Sequence, residues 1–205
     1  MSYKVCKQTT RYTCGPCTYF TITETEHDEK MERDIHKVGA IKPAKIFLAP
    51  SFGLVAKYLG NNGKFSIYSM SGTLSRKALS LMAEWEKISE EMKDEWKIQV
   101  KNNYDSLISK SDFHKLDSLE DYFNMLKKLS KDHVLALMVM MPLLSGEPET
   151  PHWVSVLKYD NGVFTLGHSW AGKEIELTDK QLLENLNKQK DSGFINQFVV
   201  YEKTR

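Results

Sequence analysis

The amino-acid sequence predicts an α+β fold in one domain, on three observations. Apolar residues in the first half recur mainly at helical spacing. The last third carries short β-branched and aromatic runs separated by turn residues. No repeat, linker or low-complexity stretch divides the two. A length of 205 residues suits a single domain, 1–205, with a sizeable core.

Residues 3–9 read as a short strand or extended arm. Thr13-Cys14-Gly15-Pro16 then opens a helix, with Thr near the N-cap, Pro in the first turn and an apolar run behind. The acidic, polar stretch 23–33 reads as the helix end and a surface loop. Leu48, Phe52, Val55, Ala56 and Leu59 recur at helical spacing, and Gly60 supplies the stop. Residues 65–70 read as a strand. Ala78, Leu81, Met82, Trp85, Ile88, Met92, Trp96 and Tyr104 form one stripe of a long helix, best read as core packing, with a groove wall or partner surface as the other reading. Ser118 caps a further helix with Glu120 and Asp121 in its first turn. Strands follow at 134–141, 153–159, 163–166, 173–177 and 198–201, with Asp160-Asn161-Gly162 as a hairpin turn and a capped helix over 178–186.

Composition limits the partners. The formal net charge of +1 gives no field for a polyanion, so no nucleic-acid partner is expected. The apolar run 134–144 is shorter than the ~20 residues of a bilayer crossing, so no membrane partner is expected either. No basic-then-apolar signal pattern opens the chain, which points to cytoplasmic residence. Three cysteines are not a disulfide framework and fit a reducing compartment.

Chemistry concentrates at four places. Cys14 opens a helix, where the helix end favours a thiolate. Gln8 stands six residues upstream, on the arm leading into that helix. Its side-chain amide and the Cys14 backbone N–H would suit the oxyanion that builds up when a thiolate attacks a carbonyl. His152 follows Pro148-Glu149-Thr150-Pro151 and opens a strand, where a loop can leave the imidazole open to a cleft as proton acceptor. His168 lies on the following hairpin, in Gly167-His168-Ser169-Trp170-Ala171-Gly172. His27, His36 and His114 sit among charged residues and read as solvated; His133 reads as a loop residue. Cys17 reads as a small core residue one turn into the helix. Cys14-Gly15-Pro16-Cys17 also spells a thiol–disulfide exchange motif, but only 13 residues precede it, too few for the strand–helix–strand unit such a fold needs. No second CxxC or HxxxH completes a zinc site around it.

The order Gln8, Cys14, His152 resembles the papain-like cysteine peptidases. Gln8-Thr-Thr-Arg-Tyr-Thr-Cys14-Gly15-Pro16, the helix ending at Gly60, and His152-Trp153-Val154-Ser155-Val156 before Tyr159-Asp160 are similar to the bacteriocin double-glycine leader peptidases and their stand-alone relatives (peptidase C39-like). The likeness covers about 1–70 and 118–202 and leaves 75–110 as an apparent helical insertion. It implies a papain-like fold, with a helical half carrying Cys14, a sheet half carrying His152 and a cleft between. It also implies acyl chemistry through a Cys thioester on a peptide or other amide substrate, with no metal or organic cofactor. The family's third catalytic position is an Asn or Asp that orients the base; here His168 occupies it, with Glu149 or Asp160 as alternatives. Three further readings stay open: an acyltransferase with an amine acceptor on the same residues, a thiol–disulfide oxidoreductase using Cys14 and Cys17, and a non-catalytic peptide-binding protein.

Overall fold

A computed structural model describes residues 4–147 and 149–203, so Tyr3, the first residue of the expected arm, lies outside the described residues. Helix α1 spans Cys14–Thr23, α2 Glu29–Gly39, α3 Ala49–Tyr58, α4 Arg76–Trp85, α5 Glu90–Ile108, α6 Leu119–Leu129 and α7 Asp179–Ser192. Strand β1 spans Lys64–Ser69, β2 Asp112–Lys115, β3 Leu135–Met140, β4 Pro151–Asp160, β5 Val163–His168, β6 Lys173–Thr178 and β7 Gln197–Glu202. The strands join one sheet in the order β2-β1-β7-β3-β4-β5-β6, antiparallel except for the parallel pair β1 and β2. The α+β class therefore holds.

Strand alternation sends side chains to two separate cores. Ala136, Met138, Met140 and Trp153 pack with α1 to α5, while Leu135, Leu137, Val139, Val154, Phe164 and Leu166 pack with α6 and α7. The β4–β5 turn has both Asn161 (φ 49°) and Gly162 (φ 81°) left-handed, as a two-residue hairpin loop requires.

Three elements differ from expectation. The single long helix over 75–107 is two, because the chain turns at Lys87 (φ 53°) between α4 and α5. Residues 29–39 form α2 rather than a loop. Asp28 caps that helix by accepting from the Met31 N–H, and its buried side, with Glu32 and Ile35, is too short an apolar signal to register as a stripe. Strand β2 owes its place to pairing with β1, backed by the Ser66 Oγ–Asp112 Oδ2 hydrogen bond at 2.7 Å and the Lys64–Asp112 ion pair at 2.9 Å.

Candidate active site

The start of α1 packs on the sheet at β4. Thr13 occupies the N-cap position but does not cap: its hydroxyl donates to the Thr10 carbonyl at 3.2 Å, so the expected Thr cap is absent. The first backbone N–H groups of the helix are thereby left to the cysteine. Burial raises the Cys14 thiol above its ordinary value and outweighs the backbone N–H groups of Trp153, Gly15 and Cys14, which pull it down. Trp153 lies beyond the β4–β5 pairing that begins at Ser155 and Gly167. Cys14 thus rests as a neutral, half-buried thiol.

Gly15 explains the residue after the cysteine. A Cβ there would lie 2.3 Å from Phe47 Cδ1, and one on Gly39 would lie 2.4 Å from Phe47 Cε2. The Phe47 ring is wedged between the two helices, and the Phe47 carbonyl accepts Trp153 Nε1–H at 2.7 Å. This fixes Trp153, and with it the start of β4, against the cysteine helix.

The expected base and its orienter lie together on the other side of the sheet. His152 pairs with Val139 and His168 alternates with Leu166, so both share the face that α6 and α7 cover. Their rings are 5.0 Å apart, centre to centre, tilted by 56°. His152 Nε2 stands 3.4 Å from Ser169 Oγ, and among the described residues no hydrogen bond joins it to Cys14. Burial, and then the His168 charge, lower the His152 pKa to about 3, so the imidazole is neutral across the physiological range. His168 does not hydrogen-bond to His152 either; its Nε2 lies 2.7 Å from Glu147 Oε1, close enough to pair but off the angle of an aligned hydrogen bond. Burial lowers the His168 pKa while Glu147 opposes the shift. Glu147 Oε2 accepts the N–H groups of Leu143 and Leu144, each at 2.9 Å.

Gln8 completes the row. Its Oε1 accepts Ser169 Oγ–H at 2.8 Å, its Nε2 donates to the Thr10 carbonyl at 2.7 Å, and its backbone N–H donates to the Ser169 carbonyl at 3.0 Å. The side-chain NH2 can donate two hydrogen bonds, and the one to Thr10 is the first of them. Contacts therefore run from Glu147 through His168, His152 and Ser169 to Gln8. Ser169 and Glu147 were not singled out in the sequence. The Gly-His-Ser-Trp frame offered a signal for Ser169; Glu147, in a turn, offered none. The alternative orienters lie elsewhere: Glu149 pairs with Lys188 at 2.7 Å and Asp160 with Lys158 at 3.0 Å.

Cys14 lines a cleft of about 910 Å³. Tyr12, Trp85, Trp153 and Trp170 supply aromatic walls, and Glu147 and Pro151 the side nearest the histidines. Trp85 is exposed and lines this cleft while stacking on buried Phe194 at 5.2 Å, so that part of the expected stripe is a groove wall rather than core.

Two cysteines depart from expectation. Cys17 is buried, but its sulfur is bonded to Cys6, with Cα atoms 5.2 Å apart. Cys14 is the free cysteine. The bond ties the arm carrying Gln8 to α1, a pairing hidden in the sequence because nothing local shows that the expected arm packs against Cys17. His27 is likewise not solvated: its Nε2 lies 2.6 Å from Oε2 of fully buried Glu32.

No protein-family model matches the chain, and no curated protein matches it. Among solved structures, it is similar in fold to a peptidase domain. That domain belongs to Streptococcus ComA, described as a bi-functional ABC transporter involved in a quorum-sensing pathway; the TM-score is 0.50 and the identity 10%, with 99% of this chain and 100% of the other covered. The likeness is one of fold. No helix among the described residues is long and apolar enough to cross a membrane.

Proposed function

We propose that this protein is a papain-like cysteine peptidase or amide hydrolase of one domain, acting through a thioester on Cys14. The observation that carries this reading is a free cysteine at the start of a helix. That helix start has no side-chain cap, and the cysteine faces an aromatic cleft on a helix packed against the strand that carries His152. The Cys14 sulfur attacks the substrate carbonyl as His152 takes the thiol proton; the C–N bond then breaks and the amine leaves with that proton. The Cys14 N–H holds the oxyanion, and the Gln8 amide joins it only by turning from its bonds to Ser169 and Thr10. A neutral His152 is in the protonation state a base needs. Proton transfer requires the β3–β4 pairing at Val139 and His152 to open, so that the ring can leave Ser169 and turn toward the sulfur. In this reading His168, held by Glu147, is a positioning residue for His152.

The aromatic walls favour a peptide with an apolar side chain beside the scissile bond. Cytoplasmic residence stays part of the proposal without support from the cysteines, since Cys6 and Cys17 form a disulfide. In the form described the exchange reading lacks its Cys14–Cys17 pair, because Cys17 is bonded to Cys6. An acyltransferase would use the same groups. The test is release of a fluorophore from peptide amides, by wild type and by Cys14→Ala. Loss of turnover in a folded Cys14→Ala protein is expected, and turnover that persists contradicts the reading. Acceleration by added amines would assign the transferase instead.

A further inference from the structure

We propose that in the dithiol state Cys6, Cys17, His27 and Glu32 bind a thiophilic divalent cation of the zinc class. The four side chains come from four separate places: the arm, α1, the α1–α2 loop and α2. Taking one ligand atom from each, all lie within 4.8 Å of one another. Tetrahedral zinc, with bonds of about 2.0–2.3 Å, sets its ligand atoms roughly 3.3–3.8 Å apart, so small side-chain shifts close the shell. Two thiolates, an imidazole and a carboxylate are donors that zinc takes and that magnesium and calcium do not.

The surroundings are built for such a site. Cys6, Cys17 and Glu32 are buried and His27 is half-buried. Glu32 is fixed through its other oxygen, which accepts the Thr9 N–H at 2.8 Å and Thr9 Oγ–H at 3.0 Å. A buried carboxylate is costly without compensating charge, and a divalent cation supplies more of it than one imidazole. The arm also borders a groove whose rim carries Glu24, Glu26 and Glu29 beside Lys4, Lys7 and Arg33, which gives an ion a route in.

In the form described above the two sulfurs are joined. Reduction by a phosphine or dithiol adds two electrons and two protons and yields two thiols; the metal then displaces those protons as it binds. Disulfide and metal are thus alternative ways of fastening the arm, two residues ahead of Gln8, to α1. The proposal uses none of the groups assigned to catalysis and stands or falls apart from the hydrolase reading.

The experiment uses the full chain, reduced by a phosphine, stripped with a chelator and titrated with Co²⁺. Wild type and Cys14→Ser are expected to take one Co²⁺ per chain, with sulfur-to-cobalt charge-transfer absorption that Zn²⁺ abolishes by displacement. Cys6→Ser and His27→Ala should weaken binding at least 100-fold, and the oxidised protein should show no such absorption. The absence of the band from reduced wild type overturns the proposal, as does a band lost in Cys14→Ser but kept in Cys6→Ser. Wild type and Cys14→Ser decide the matter even where the other variants fail to fold.

Discussion

His152 carries the heaviest constraint of any residue in the candidate site. It is almost fully buried, and its pKa of about 3 lies below the ordinary 6.5. The unfolded chain therefore binds a proton between those values that the folded chain refuses. Its contribution to stability is full above pH 6.5 and falls as the pH drops toward 3, by at most ~1.4 kcal/mol per pH unit. Urea unfolding of wild type and His152→Gln at pH 7 and pH 4.5 should show a smaller acid penalty in the variant; equal penalties would place the imidazole in solvent. Gln8 belongs to the same scale. If its side-chain amide turns to meet the oxyanion, Gln8→Ala should lower kcat by about 10²–10³ with KM little changed, read in steady-state kinetics of peptide-amide hydrolysis. A change confined to KM would make Gln8 a substrate contact only.

Among the elements, the junction of α1, the Phe47 loop and β4 decides whether the site exists. Gly15→Ala drives a methyl into the Phe47 ring and should cost about 1–3 kcal/mol of stability, measured by chemical denaturation; a neutral result would mean that the ring moves freely. Much of this level was legible in the sequence. The helix start at Cys14, the Asn161-Gly162 turn and the strands β3 to β7 each rest on local signals that the fold respects. What was not legible came from partners distant in the chain. Strand β2 exists because β1 offers it an edge, and α2 buries Glu32 and Ile35 against neighbours no periodicity announces. Gln8 and Cys14 were visible as types at a spacing. The contact of His168 with Glu147, and that of Ser169 with Gln8, were not, because they join segments that only the folded sheet brings together.

At the scale of the whole molecule, one sheet separates Cys14 from the histidines, with α1 to α5 on one face and α6 and α7 on the other. The start of β4 is paired with β3 through Pro151 and His152 and lacks a partner only on its β5 side, so the proposed Cys14–His152 pair requires that β3–β4 pairing to open. The most direct measurement is intact-mass detection of an acyl adduct after brief mixing with a nitrophenyl ester of an acylated phenylalanine, whose side chain suits the aromatic walls. One acyl group per chain, located on Cys14, is expected in wild type, with formation slowed about 10²–10⁴-fold in His152→Ala. Acylation of His152→Ala at the wild-type rate, or an adduct located elsewhere than Cys14, would contradict the pairing of this cysteine with this histidine.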